Sequence, residues 1–256
     1  MNKKDIHKKT IGLVGYGNMG QAIAQIHKDE FEVLYFDKNK KSISLEALIE
    51  KLEIIIIAVK PQNFSEIKEG LVQYISKGQV VISIMAGVSL ENIGANLQTK
   101  NVVRSMPNLA LKNRASVTGW ISSAGCSQKA KNIAKHIFGR WGEAIECKKE
   151  DQLNAITALA GSGPAYYLYV SEQIFDLAQQ NGFSKKESQQ LAAGVLKGAG
   201  LIDPEGKHNP ADLISKIASK GGTTEAALME LENKKAASII RAAIKKAQNR
   251  SRELSK

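Results

Sequence analysis

The chain has 256 residues, 43% hydrophobic and 24% charged, with a formal net charge of +11. That is ordinary for a folded protein of one large or two modest domains. The longest aliphatic run, 54–59, is far too short to cross a bilayer, and MNKKDIHKKT at the start has no apolar stretch of the signal-peptide kind, so no membrane partner and a cytoplasmic location are expected.

In chain order, the first half alternates short β-branched runs with amphipathic stretches, the pattern of a parallel sheet with crossover helices. Strands are predicted at 11–14, 33–36, 54–59, 80–85 and 102–104, with a closing pair at 115–123 and 142–147 around a helix at 127–138. IGLVGYGNMGQAIA holds Gly15, Gly17 and Gly20 in the spacing of a dinucleotide fingerprint, after a predicted strand and at the start of a predicted helix. Gly15 permits the tight turn, Gly17 the approach of a diphosphate, and Gly20 close helix–strand packing; Asn18 and Met19 open the helix whose N–H groups face the phosphates.

The second strand runs into YFDKNKK. Asp37 there suits a ribose diol and so NADH, whereas Lys38, Asn39, Lys40 and Lys41 suit the 2′-phosphate of NADPH, and the residue types leave both open. Only one short helix, 45–52, fits before the next strand. That strand ends in Ala58, Val59, Lys60 and Pro61; the following ones end in Ala86-Gly87 and in Met106-Pro107-Asn108. Three such strand ends on the carboxyl edge of the sheet predict one continuous cofactor groove.

Beyond residue 148 Ala, Leu, Gln and Lys take over. Helices are predicted at 151–159, 165–180, 185–201, 211–217, 225–232 and 234–252. The domains expected are 1–148, a Rossmann-type α/β domain, and 149–256, all helical. The helix over 165–178 is apolar nearly all round, as a buried helix is, and a second subunit is a natural cover for it. Gly194 and Gly198, four apart, would admit a close helix neighbour. Cys126 and Cys147 lack CxxC spacing and His7, His27, His136 and His208 are scattered, so reduced thiols and no metal are expected. The positive excess gathers at Lys3, Lys4, Lys8 and Lys9 and in 234–256 with no nucleic-acid-reading motif beside it, so it reads as solvated termini.

In the late stretch KIASKGGTTEAALMELE, Gly221-Gly222-Thr223-Thr224 precedes a predicted helix. On residues alone it reads as a helix cap or an anion cradle. With VGYGNMGQAIA, AVKP, MAGVSLENI, VVRSMPN and ALAGSGPAYYLY it completes a set, in order and over nearly the whole chain, that resembles the pyrroline-5-carboxylate reductase family. The resemblance implies a Rossmann domain and a helical dimerisation domain, a homodimer or an oligomer of dimers, and an active-site cleft between one subunit's cofactor domain and its partner's helical domain. It implies hydride transfer from NADPH or NADH, with the family inclining to NADPH, to the C=N carbon of a cyclic imino acid. It assigns the carboxylate to the backbone N–H groups of Gly222, Thr223 and Thr224 in the Gly221–Thr224 segment, and the ring nitrogen to the Thr224 hydroxyl. Lys220, where proline is usual, Leu109-Ala110, where Thr-Pro is usual, and the short segment after Asp37 depart from the family pattern.

Three other readings compete. A related 3-hydroxy-acid dehydrogenase would use Lys197 or Lys216 on a core helix. A diverged reductase-like protein would bind a dinucleotide without turnover. A nucleic-acid binder would use 234–256.

Overall fold

A computed structural model describes residues 10–254. Lys3, Lys4, His7, Lys8, Lys9 and Lys256 lie outside them. The chain runs β1 (Thr10–Val14), α1 (Asn18–His27), β2 (Glu32–Phe36), α2 (Leu45–Glu50), β3 (Ile54–Ile57), α3 (Phe64–Tyr74), β4 (Val80–Ser83), α4 (Leu90–Gly94), β5 (Val102–Met106), β6 (Ser116–Ser122), α5 (Gln128–Gly139) and β7 (Gly142–Glu146). These strands form one sheet in the order β2-β1-β3-β4-β5-β6-β7. The first five are parallel, β6 is antiparallel to β5, and β7 follows β6 in parallel. The strand order reverses between β1 and β3, which is where open α/β sheets bind ligands.

Helices cover both faces. Ile54 and Ile56 of β3 enter the core under α1 and α5; Ile55 and Ile57 enter the core under α2 and α3. A strand buried on both sides cannot alternate polar and apolar residues, which is why 54–57 is four isoleucines. A Cβ on Gly12 would lie 3.2 Å from Leu48 Cγ, so α2 rests directly on β1. The short link between β2 and β3 holds only α2, and β2 is left as the sheet edge.

The helical remainder is α6 (Glu150–Ile156), a π-helical turn over Thr157–Gly161, α7 (Gly163–Gln180), α8 (Lys185–Ile202), α9 (Pro210–Ile217), α10 (Thr223–Asn233) and α11 (Ala236–Leu254). Contacts divide the chain into two compact units, one through Gly161 plus the chain from Ala247 on, the other Ser162–Lys246. This division falls later than the 148/149 boundary read from composition. The reason is packing: a Cβ on Gly119 of β6 would meet Leu153 and Ile156 within 3 Å, so α6 sits on the sheet. The end of α11 also belongs to the first unit, where Arg252 holds Asp151 through two bonds of 2.5 and 2.8 Å and Ser251 Oγ lies 3.1 Å from Asn154 Oδ1.

In the second unit α7 packs on α8, with Ser171 Oγ donating to Ala192 O at 3.2 Å. The expected all-round burial of α7 does not occur within the chain: Tyr167 is 69% and Tyr169 68% exposed, and Leu168 and Val170 are exposed beside them. Apart from their own chain neighbours and nearby helix backbone, no atom of the described residues lies within 4 Å of a Cβ built on Gly194 or Gly198. No helix among the described residues is long and apolar enough to cross a membrane. Cys126 and Cys147 are free, and burial raises both thiols above their usual pKa, which keeps them in the unreactive protonated form.

The last residue of α1, His27, is fully buried. Its Nε2 accepts a bond from Trp141 Nε1 at 2.9 Å, so the ring proton is on Nδ1, which has no partner among the described residues. Burial, helped by the nearby Arg140 guanidinium, lowers its pKa from 6.5 to about 4. The unfolded chain therefore binds a proton that the native protein refuses between those values. Stability from this site is complete above about pH 6.5 and falls as the pH drops towards about 4, by about 3 kcal/mol in all. Urea unfolding at pH 7 and pH 4.5, at one protein concentration, is expected to show that loss in the native protein and to show it reduced by about 2 kcal/mol in His27→Gln, whose amide oxygen still accepts from Trp141. Equal losses in the two proteins would remove His27 from the acid response.

Candidate functional site

The glycine turn follows from local backbone demands. Gly15 has φ +102, a region closed to most side chains, and a Cβ there would sit 2.8 Å from the Ala58–Val59 peptide. A Cβ on Gly20 would lie 2.3 Å from Gly15 O, so α1 can approach the turn only with glycine in place. At Gly17, the N-cap of α1, a Cβ would meet nothing within 4 Å and no side chain caps the helix. The turn thus presents bare backbone and uncapped N–H groups, the environment a diphosphate requires.

A cleft of about 500 Å³ opens at the carboxyl ends of β1, β2 and β3. Gly15, Gly17, Asp37, Lys38, Ala58, Val59 and Lys60 line it, together with Phe36, Asn39, Asn63, Glu66 and Ile67. Asn63, Glu66 and Ile67 were not read from the sequence. They come from a single 3₁₀ turn (Pro61–Asn63) that Pro61 starts and from the first turn of α3 directly behind it. Asn18 and Met19 form the first turn of α1, with Gly20 packed beneath.

The residues lining this cleft do not include Ala86, Gly87, Pro107 or Asn108, which follow β4 and β5. Gly87 has φ +75, and a Cβ there would strike Leu254 O at 2.7 Å, so the end of α11 covers it. The side chain of Asn108 is spent on structure: Oδ1 accepts from Ala110 N at 3.0 Å and Nδ2 donates to Ala160 O at 2.9 Å. It caps a 3₁₀ turn (Leu109–Asn113) and pins the π-helical turn ahead of α7. Arg104, 3% exposed, donates to Glu150 Oε1 at 2.7 Å, and the same oxygen accepts Leu90 N at 2.9 Å, joining β5, α4 and α6.

In the second unit, Gly221 has φ +73 and Gly222 is the N-cap of α10 with no side-chain cap bond. The first helical bond is Ala226 N to Gly222 O, 3.2 Å. The N–H groups of Thr223, Thr224 and Glu225 therefore emerge from an uncapped first turn. The expected cradle needs one correction. Gly222 N donates to Ser219 O at 3.0 Å and Gly221 N to Glu225 Oε2 at 2.7 Å, so neither glycine amide is free for a ligand. The glycines act through shape: a Cβ on Gly222 would lie 2.6 Å from Ser219 Oγ. Lys220 is exposed in the loop that follows α9, and the turn after it forms without proline. Lys197 and Lys216 are exposed, not placed on a core face as the 3-hydroxy-acid reading requires.

Comparison with known proteins agrees with both halves. Residues 150–254 match the family model described as pyrroline-5-carboxylate reductase dimerisation, and residues 10–87 match that of the coenzyme F420-dependent NADP oxidoreductases. The pyrroline-5-carboxylate reductase of Methanosarcina acetivorans is 30% identical over 98% of this chain and 100% of its own. That of Aquifex aeolicus is 30% identical over 88% of this chain and 89% of its own. The solved structure of a pyrroline-5-carboxylate reductase from Coxiella burnetii superposes with a TM-score of 0.90 at 28% identity, covering 97% of this chain and 99% of that one. That of Plasmodium falciparum, with NADP bound, gives 0.86 at 25% identity over 98% and 99%. A chain that matches these reductases along nearly its whole length, and theirs, belongs to the pyrroline-5-carboxylate reductase family.

Proposed function

We propose that the protein reduces the C=N bond of 1-pyrroline-5-carboxylate to give L-proline, the step that ends proline biosynthesis, with a nicotinamide dinucleotide held in the cleft above β1–β3. The observation that carries this reading is the uncapped start of α10 at Thr223-Thr224, in a chain whose other unit bears a glycine-floored dinucleotide cleft. The reduced nicotinamide supplies the hydride when bound. The turn at Gly15, Gly17 and Gly20 and the first turn of α1, Asn18 and Met19, hold its diphosphate. Asp37, Lys38 and Asn39 meet the adenosine ribose, and Ala58, Val59, Lys60 and Pro61 flank the path towards the nicotinamide. Ala86, Gly87, Pro107 and Asn108 shape the adjoining strand ends through backbone.

The substrate carboxylate is held by the N–H groups of Thr223 and Thr224, where free donors and the positive end of α10 favour an anion. Gly221 and Gly222 set the turn that leaves those donors open. Thr224 Oγ1 meets the ring nitrogen and supports its protonation as the carbon accepts hydride. Orientation does most of the work, because the reaction needs no activated nucleophile. The cofactor and substrate halves lie on different units, and the reading requires both to serve one reaction. The exposed Tyr167–Val170 turn of α7 and the matched dimerisation model support a homodimer; a larger oligomer, as read from the family, would be built from that dimer. The location that goes with the reading is the cytoplasm, where reduced nicotinamide is generated.

Three measurements test these assignments. Thr224→Ala is expected to lower kcat/KM for pyrroline-5-carboxylate by about a hundredfold or more while leaving the dinucleotide Kd unchanged; full activity would remove Thr224 from the mechanism. Gly20→Ala, forced against Gly15 O, is expected to weaken dinucleotide binding by at least about tenfold, and unchanged binding would show that the turn does not carry the diphosphate. Sedimentation at micromolar concentration is expected to give the mass of two chains or a multiple of it; a monomer would overturn the dimer.

A further inference from the structure

Asp37 directly follows β2, the edge strand, on the wall of the dinucleotide cleft. Its carboxylate is held from two sides: Oδ2 accepts the Tyr16 N–H of the glycine turn at 2.8 Å, and Oδ1 accepts the Asn39 N–H at 2.9 Å. Its main chain is held as well, with Ser42 Oγ 3.1 Å from Asp37 N and 3.2 Å from Asp37 O. The charge therefore has a fixed place, and each oxygen keeps a lone pair for a further donor. A ribose diol offers two such donors. A 2′-phosphate offers none once ionised, and would bring close to two negative charges beside a third.

Two of the lysines that could offset this are engaged elsewhere, and the third, Lys41, is exposed. Lys38 Nζ lies 2.9 Å from Glu66 Oε2, and Glu66 is a second carboxylate in the same cleft. Lys40 Nζ donates to Tyr16 O at 2.7 Å and stands 5.2 Å from the centre of the Tyr16 ring. Tyr16 in turn stacks on Tyr35 of β2 at 3.8 Å, which fixes the platform under Lys40. The exposed Lys38–Glu66 pair is weak and its lysine can turn, but mobile surface cations weigh less than a carboxylate clamped by two backbone amides. The short link after β2 leaves α2 as the one helix between β2 and β3, so no further strand among the described residues borders this corner.

We propose that Asp37 is the specificity-determining residue that makes this chain prefer NADH to NADPH: its fixed carboxylate accepts the adenosine ribose diol and repels a 2′-phosphate. The proposal rests on the reading of the cleft as a dinucleotide site and goes beyond it by deciding between the two cofactors.

Direct binding tests it without reference to turnover. Dissociation constants for NADH and NADPH are measured on the full chain by calorimetry, at low and at high salt. NADH is expected to bind at least about tenfold more tightly at low salt, since like charges at a binding surface are strongly disfavoured, and the ratio is expected to shrink at high salt. Asp37→Asn keeps one oxygen acceptor and removes the charge; it is expected to tighten NADPH by about tenfold and to weaken NADH, because one of the two acceptors offered to the ribose diol becomes a donor. Asp37→Ser shortens the side chain as well and is expected to shift the ratio the same way. Equal or tighter binding of NADPH by the native protein, or an unchanged ratio in Asp37→Asn, would overturn the proposal while leaving the cleft a dinucleotide site. Binding of neither cofactor would overturn the proposal together with the reading of the cleft.

Discussion

The close approach of α1 to the ends of β1 and β3 is the constraint on which the rest of the molecule turns. Gly20 brings the helix to where a side chain would be 2.3 Å from Gly15 O, and Gly15 brings the turn to where one would be 2.8 Å from the Ala58–Val59 peptide. Neither contact tolerates a Cβ. Together they place the uncapped start of α1, the end of β2 and the end of β3 around one space at the point where strand order reverses. The cleft is thus a result of backbone packing, and its walls differ in charge only through the few side chains that β2, β3 and α3 deliver to it.

A second level of organisation joins the sheet to the helices that follow. Buried Arg104 of β5 meets Glu150 at the start of α6, and the same carboxylate oxygen accepts Leu90 N at the start of α4. A cation this buried is tolerable only with a partner that is itself hydrogen-bonded. Asn108 repeats the device nearby, tying the end of β5 to the π-helical turn before α7. The bidentate Arg252–Asp151 pair seats the last turn of α11, where Leu254 covers Gly87. Several positions that read as ligand contacts are therefore held by the protein's own groups, and they act on the site by fixing backbone.

The same shift from side chain to backbone applies at α10. A helix start with Ser or Thr at the N-cap would satisfy its own first-turn donors, as Ser44, Ser89, Ser127 and Ser184 do elsewhere in this chain. Gly222 does not, and the N–H groups of Thr223 and Thr224 stay open. The paired glycines are needed for the turn itself and not as donors, because both amides are already bonded within the loop. The apolar residues of α7 are likewise left unfinished: the helix packs on α8 while Tyr167, Leu168, Tyr169 and Val170 stay exposed.

The sequence by itself determined the strands, the glycine turn and the helical second half, because each follows from local spacing, such as β-branched runs bounded by turns and glycines at three set positions; the family came from the resemblance of its motifs, the Gly-Gly-Thr-Thr block among them. It also carried the two residues to which the proposed chemistry and the proposed cofactor choice are assigned, Thr224 and Asp37. Tertiary structure alone decided how those residues are used. Pairs such as Asp37 with Tyr16, Asn108 with Ala160, Arg104 with Glu150 and Arg252 with Asp151 are 21 to 101 positions apart. No periodicity records such pairings. They arise when the sheet closes and the helices settle on it, and they determine which charges are fixed, which amides are free, and that α6 and the end of α11 belong with the sheet.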